Sequence, residues 1–128
     1  MQVIDSSALV KFFSREDGWE AVSQYVKEAL TLHFALSELG NSLLKKIHSN
    51  NADVGKAEEV LKRYSKSAVL LNDEEYVESA FHIARANGLA MYDSMFIAAC
   101  KEEGMELVTC DAGQASVARQ LGIGVMEF

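Results

Sequence analysis

Short apolar segments alternate with amphipathic helical segments along the whole chain, and this alternation limits the possible folds more than any other feature. The predicted strands are residues 3–4, 31–34, 68–71, 107–109 and 122–126, of which 31–34 has the weakest pattern. Between them, apolar residues recur at spacings of three and four, which is typical of one buried helix face. Strands that alternate with helices are usually parallel and joined by right-handed crossovers, so the pattern predicts an α/β fold. It does not give the strand order.

The length and composition predict one globular domain over residues 1–128. A chain of 128 residues with 49% hydrophobic and 24% charged residues can bury a substantial core. No apolar run approaches the ~20 residues of a membrane span, and no signal sequence is visible at the N-terminus, so we expect no membrane association. The two cysteines, Cys100 and Cys110, lack zinc or disulfide spacing, which favours a cytoplasmic location.

The formal net charge of −7 argues against general electrostatic binding to nucleic acid. A function on nucleic acid would therefore require a divalent metal ion or a local basic patch. Four cations near the first and third predicted helices are candidates for contact with RNA phosphate, but simple solvation explains them equally well. They are Lys11, Arg15, Lys45 and Lys46.

Four acidic residues stand out by their positions at the junctions between strands and helices. Asp5 and Asp111 each terminate an apolar strand, whereas Glu38 and Asp93 are each predicted in the first turn of an apolar helix. Ligands of open α/β sheets bind at the carboxyl ends of the strands, so we expect these side chains to converge there. The alternative is that all four are ordinary helix caps or favourably placed first-turn acids.

Two further acids are predicted only as helix caps. Asp17 is expected to cap a second helix that begins near Trp19, and Asp73 to cap the helix after the third strand. The helix that carries Glu38 is predicted to begin at Ser37. All three helix starts are predicted from local sequence signals alone.

Convergence of the four acids would require a cation. Clustered carboxylates repel one another and raise one another's pKa unless a positive ion neutralises them. Ligation by oxygen atoms alone suits Mg²⁺ or Mn²⁺, and we expect one or two such ions to be shared by the four side chains. Ions of this kind activate water and stabilise a leaving oxygen, so the predicted chemistry is phosphodiester hydrolysis.

Four segments around these acids resemble the four acidic motifs of PIN-domain ribonucleases, and in particular the VapC-type toxins of toxin–antitoxin pairs. The segments are Val-Ile-Asp5-Ser-Ser-Ala-Leu-Val, Ser-Glu38-Leu-Gly-Asn41-Ser-Leu-Leu-Lys, Tyr-Asp93-Ser-Met-Phe-Ile-Ala-Ala and Val-Thr109-Cys-Asp111. Their order and spacing agree with the family, so the resemblance extends over nearly the whole chain.

The resemblance implies a single PIN-like domain with a five-stranded parallel sheet in the order 3-2-1-4-5. It also implies a Mg²⁺- or Mn²⁺-dependent endonuclease that acts on RNA, a small cognate antitoxin as partner, and a homodimer. By position, the metal ligands would be Asp5, Glu38, Asp93 and Asp111. Thr109 would position the metal, water or acids through its hydroxyl, and Asn41 would orient ligands.

Other functions stay open at the level of sequence. A PIN-domain nuclease that processes RNA without being a toxin, and a catalytically silent module that binds RNA or protein, both fit the motifs. A haloacid-dehalogenase-like phosphatase needs an acid where this chain has Ser7. A receiver-like module needs paired acids at the first strand and a lysine after a late strand, and neither is present.

The aromatic residues Phe12, Phe13 and Trp19 are expected in the core or in a dimer interface.

Overall fold

The computed structural model describes residues 1–128 and contains one parallel five-stranded sheet. The strands are β1 Gln2–Ile4, β2 Leu30–Leu32, β3 Val69–Leu71, β4 Glu106–Thr109 and β5 Val125–Glu127. Their order in the sheet is β3-β2-β1-β4-β5, and every neighbouring pair is parallel. The predicted α/β class and the order 3-2-1-4-5 are both confirmed.

Seven α-helices and two 3₁₀ turns connect the strands. The helices are α1 Ser6–Phe13, α2 Ser23–Glu28, α3 His33–His48, α4 Val54–Ser67, α5 Val77–Asn87, α6 Met91–Glu103 and α7 Ala112–Gln120. The 3₁₀ turns are Trp19–Val22 and Asp73–Tyr76. None of the helices combines the length and apolar character needed to cross a membrane.

The core is built around β1 and α6. Val3 and Ile4 of the central strand are fully buried, and α6 is buried without interruption from Ser94 to Cys100. A helix buried on several sides has an apolar sequence all round rather than a single stripe, which explains the long apolar run in this segment. The packed core therefore holds the backbone of two acids in place: Asp5, which follows β1, and Asp93, which lies on α6.

Helix α3 begins earlier than predicted. It starts at His33 rather than Ser37, so Glu38 lies in its second turn and the first-turn prediction for Glu38 is wrong. The helix has no local cap, because Leu32 occupies the N-cap position. Instead, the carboxylate of Asp73 accepts hydrogen bonds from the backbone N–H groups of His33, at 2.7 Å, and Phe34, at 3.0 Å.

Neither Asp17 nor Asp73 caps the helix for which it is predicted, so both predictions are wrong. Asp73 caps α3, and the 3₁₀ turn that it begins is capped by Asn72, whose side chain accepts from the backbone N–H of Glu74. Near Asp17, the chain turns at Gly18 with φ 86°, in the left-handed region that glycine favours, and enters a 3₁₀ turn without a side-chain cap. The α-helix itself begins only at Ser23.

The aromatic residues of the first helix pack within the chain. The ring centroid of Phe12 lies 4.9 Å from that of Phe13 and 5.7 Å from that of Trp19, and Phe13 lies 5.0 Å from Tyr64. These contacts give the aromatic cluster an internal role. A role in a dimer interface stays a prediction.

Candidate metal-binding active site

Asp5 lies at the carboxyl end of the central strand with only 1% of its surface exposed. It caps α1, since its Oδ1 accepts from the backbone N–H of Ala8 at 3.0 Å and from the Ser7 hydroxyl at 2.6 Å. Its Oδ2 accepts from the Thr109 hydroxyl. An ionised carboxylate offers about four acceptor positions, so these three donors leave roughly one for a cation or water.

The pKa of Asp5 is raised from 3.8 to about 6, mainly by burial. Hydrogen bonds from Ser7, Thr109 and Ala8 act in the opposite direction, and the nearby charge of Asp111 raises the pKa slightly further. The charged form of Asp5 is therefore stabilised by three donors but lacks a positive partner. A cation at its remaining acceptor position would complete the compensation.

Thr109 and Asp111 extend the site along the neighbouring strand. The register pairs Ile4 with Val108, so the next residues, Asp5 and Thr109, meet where β1 and β4 end. The Thr109 Oγ1 also accepts from the backbone N–H of Asp111 at 3.0 Å. Asp111 is exposed and caps α7, with its Oδ1 accepting from the backbone N–H of Gln114 at 2.9 Å.

The other two candidate acids, Asp93 and Glu38, lie on helices α6 and α3. Asp93 lies in the first turn of α6, as predicted, and is partly buried. Burial raises its pKa, and the charges of Asp111 and Glu38 raise it further. Glu38 is partly buried on α3, and its Oε1 accepts from the Ser6 hydroxyl at 2.5 Å.

Charge effects connect three pairs of these acids near the carboxyl ends of β1 and β4. Asp111 acts electrostatically on both Asp5 and Asp93, and Glu38 acts on Asp93. The neighbouring strands β2 and β4 lie on opposite sides of β1. The carboxyl ends of β1 and β4 are therefore also the point at which the strand order reverses. Asp5 and Asp111, which come after β1 and β4, therefore lie at the position at which ligands bind in open α/β sheets, and the convergence of all four acids there stays a prediction.

The donor set fits a hard divalent cation. All four candidate ligands offer carboxylate oxygens, and none of them takes part in the ion pairs of the structure, which are Lys46–Glu16, Arg63–Glu59 and Arg119–Glu127. No three His, Cys, Asp or Glu side chains are arranged to hold an ion by themselves. Mg²⁺ commonly binds through one or two carboxylates with retained water and substrate phosphate, without such a cage. That all four acids share one or two ions stays a prediction.

The sequence marks two serines of the site only as residues at a helix start. Ser6 reaches Glu38, 32 positions away, and Ser7 contacts both Asp5 and the chain after β4. The only local signal was a pair of hydroxyls after the strand, which N-capping explains equally well. Asn41 is exposed on α3, and its predicted role as a ligand-orienting residue is not tested.

Two of the four candidate RNA-binding cations have partners within the chain. Lys46 pairs with Glu16 at 3.5 Å, and the Arg15 guanidinium lies 4.8 Å from the centre of the Trp19 ring. Lys11 is partly buried, whereas Lys45 is exposed. The structure therefore gives the solvated or structural alternative more support than a preformed basic patch.

A parallel α/β sheet with carboxylates near its switch point belongs to the class of open α/β domains, which bind their ligands at this end of the sheet. The family follows from the sequence: the chain belongs to the PIN domain family, whose model matches residues 3–120.

Three known proteins illustrate the relationship. Ribonuclease VapC3 of Pyrobaculum aerophilum is 26% identical over 115 residues, which cover 85% of this chain and 88% of that protein. The crystal structure of PAE2754 from the same organism has a TM-score of 0.77 and 25% identity, over 97% of this chain and 82% of that one. A toxin–antitoxin complex from Klebsiella pneumoniae has a TM-score of 0.65 and 16% identity, over 87% of each chain, and shows the shared fold.

Proposed function

We propose that this protein is a Mg²⁺- or Mn²⁺-dependent endoribonuclease that hydrolyses RNA phosphodiester bonds in the cytoplasm. The observation that supports this most strongly is the set of four acids, without cationic partners, at the switch-point edge of the sheet. The naming of a relative as a ribonuclease agrees with it.

The side chains in this proposal have distinct roles. Asp5, Glu38, Asp93 and Asp111 would hold the metal, which when bound supplies positive charge for the phosphate and lowers the pKa of water. Thr109 and Ser7 hold the Asp5 carboxylate in one orientation, because they donate to its two different oxygens. Ser6, in the first turn of α1, donates one hydrogen bond to Oε1 of Glu38 and so restrains that side chain.

A bound metal ion would also explain how an acidic chain can bind RNA phosphates. With a net charge of −7 and two of its candidate cations already engaged, the chain offers little to attract RNA phosphates. A divalent ion held by the carboxylates would offset much of their negative charge and could contact phosphate oxygens directly. RNA binding at this site is therefore proposed to depend on the metal, not on a basic surface.

We further propose that the protein is the toxin of a toxin–antitoxin pair, that a small cognate antitoxin inhibits it, and that it forms a homodimer. The support is the relationship to VapC3 and the fold shared with a chain solved in a toxin–antitoxin complex. A small DNA-binding protein encoded by the neighbouring gene should abolish RNA cleavage when it is added. Solution scattering should give about twice the chain mass of 14.1 kDa.

The direct test is cleavage of a mixed RNA pool by the wild type and by Asp93→Asn, with Mg²⁺ and with a chelator. The matched control is Asp53→Asn, because Asp53 caps α4 outside the site and the chemical change is the same. The proposal predicts Mg²⁺-dependent cleavage by the wild type and the control, and none by Asp93→Asn. Cleavage by Asp93→Asn at the control's rate would refute the site, and absence of cleavage by the wild type would favour a silent binding module.

A further inference from the structure

Gln114 is a buried polar residue that the proposed mechanism does not use. It lies in the first turn of α7 with 2% of its surface exposed. Its side-chain Nε2 donates to the backbone carbonyl of Asp93 at 3.1 Å, and its backbone N–H donates to the Asp111 carboxylate at 2.9 Å. One residue therefore contacts two of the four acids, on two different helices.

The other buried polar side chains are explained by simpler contacts. Asp5 and Thr109 bind each other, Thr31 donates to the carbonyl of Ile4, and Ser94 donates to Ala90 in its own helix. Burying an amide costs free energy that one hydrogen bond offsets only in part, so the Gln114 side chain adds little net stability. What the amide adds is a directional connection between the first turns of α6 and α7.

That connection opposes a repulsion within the site. Asp93 and Asp111 carry like charges and lie close enough to interact. Without a cation, this repulsion favours separation of the helix ends on which they lie. The side-chain amide of Gln114 crosses between those ends, while its backbone N–H donates to the Asp111 cap of α7.

We infer that Gln114 is a positioning residue, which holds the first turn of α6 against that of α7 so that Asp93 and Asp111 can bind the same divalent cation. This inference rests on the proposed function, since it assigns a purpose to the same site. Gln114 itself neither binds the metal nor contacts RNA. Partners that orient metal ligands in this way typically contribute about 10- to 100-fold to metal affinity or activity.

The test compares three variants. Gln114→Met keeps the approximate volume but removes the amide, whereas Gln114→Asn keeps an amide that is one methylene too short to reach Asp93. Gln120→Met is the control, because it makes the same change at an exposed position of the same helix. For each protein, Mn²⁺ affinity is measured by calorimetric titration, the free energy of unfolding by urea denaturation without metal, and RNA cleavage across a range of Mn²⁺ concentrations.

Both Gln114 variants should bind Mn²⁺ about tenfold more weakly or worse, and cleavage lost at low Mn²⁺ should return when the ion is saturating. Metal-free Gln114→Met should unfold close to the wild-type urea concentration, because the lost hydrogen bond is largely offset by no longer burying an amide. A purely structural role predicts instead a large drop in that concentration together with weaker metal binding. Wild-type Mn²⁺ affinity in both Gln114 variants would overturn the inference. A wild type that binds Mn²⁺ but cleaves no RNA would overturn the proposed function alone, because the affinities still decide the role of Gln114. A wild type without Mn²⁺ binding would overturn both.

Discussion

The hydroxyl of Ser7 accepts a hydrogen bond from the backbone N–H of Cys110 at 2.8 Å, and so connects the chain after β1 to the chain after β4. The same hydroxyl donates to Asp5 and lies 3.3 Å from the Thr109 Oγ1. A single serine thus joins the ends of two neighbouring strands to the most deeply buried acid of the site. Its role is structural and also bears on the orientation of Asp5.

Ser7→Ala should lower the free energy of unfolding by about 1–3 kcal/mol, because it leaves a partly buried backbone N–H and a buried carboxylate oxygen each without one partner. Urea denaturation measures this change. The control is Ser116→Ala, an exposed serine on α7, which should change stability by less than about 0.5 kcal/mol. If both variants unfolded at the wild-type urea concentration, the hydrogen bonds of Ser7 would not contribute to stability.

Asp5 should make the metal-free protein less stable as the pH rises from about 4 to above 6. Burial raises its pKa from 3.8 to about 6, so in this range the folded protein binds a proton that the unfolded chain releases. The stabilisation is complete below the lower pKa and is lost as the pH passes the upper one, a difference of about 3 kcal/mol. Asp5→Asn cannot titrate, so its stability relative to wild type should increase by about this amount over the same range.

Chemical denaturation at several pH values, without metal, measures the difference between Asp5→Asn and wild type. Other carboxylates titrate in both proteins and cancel in the comparison. Mg²⁺ should reduce the difference at neutral pH, because the cation stabilises ionised Asp5 in the wild type. A difference that does not change with pH would show that burial does not control the ionisation of Asp5.

Asp73→Ala should destabilise the protein by about 1 kcal/mol, because it removes the cap of α3. Its carboxylate accepts from two backbone N–H groups at the start of that helix, where a negative charge is also favourable. Thermal melts should show the loss, while Glu74→Ala, at the exposed neighbouring position, should melt close to the wild type. Equal melting temperatures for both variants would show that α3 does not depend on this distant cap.

Local sequence signals were sufficient for most of the fold and for three of the four acids. The alternation of strands and helices gave the class, and the resemblance to the family gave the strand order that the structure shows. Asp5 and Asp111 were placed correctly because each follows a strand and caps the next helix, and both properties are local. Asp93 was placed by the long apolar helix that follows it.

Contacts between distant segments could not be predicted in the same way. The local sequence does not indicate the start of α3, because its cap, Asp73, lies 40 positions further along the chain and the segment before Glu38 has β-prone residues. The hydrogen bonds from Ser6 to Glu38 and from Gln114 to Asp93 span 32 and 21 positions. Nothing in the neighbouring residues of either donor indicates the acceptor, so these parts of the site appear only once the chain is folded.

Binding of a divalent cation by the four acids is tested most directly by the Mg²⁺-induced shift in melting temperature of the wild type and of Asp93→Asn. An ion that binds only the folded protein stabilises it by about 3 kcal/mol at roughly 100 times its Kd. We expect a clear upward shift for the wild type, and a much smaller one for Asp93→Asn. Without metal, Asp93→Asn should melt at or above the wild-type temperature, because one repelling charge is gone. Equal Mg²⁺-induced shifts in the two proteins would contradict the claim.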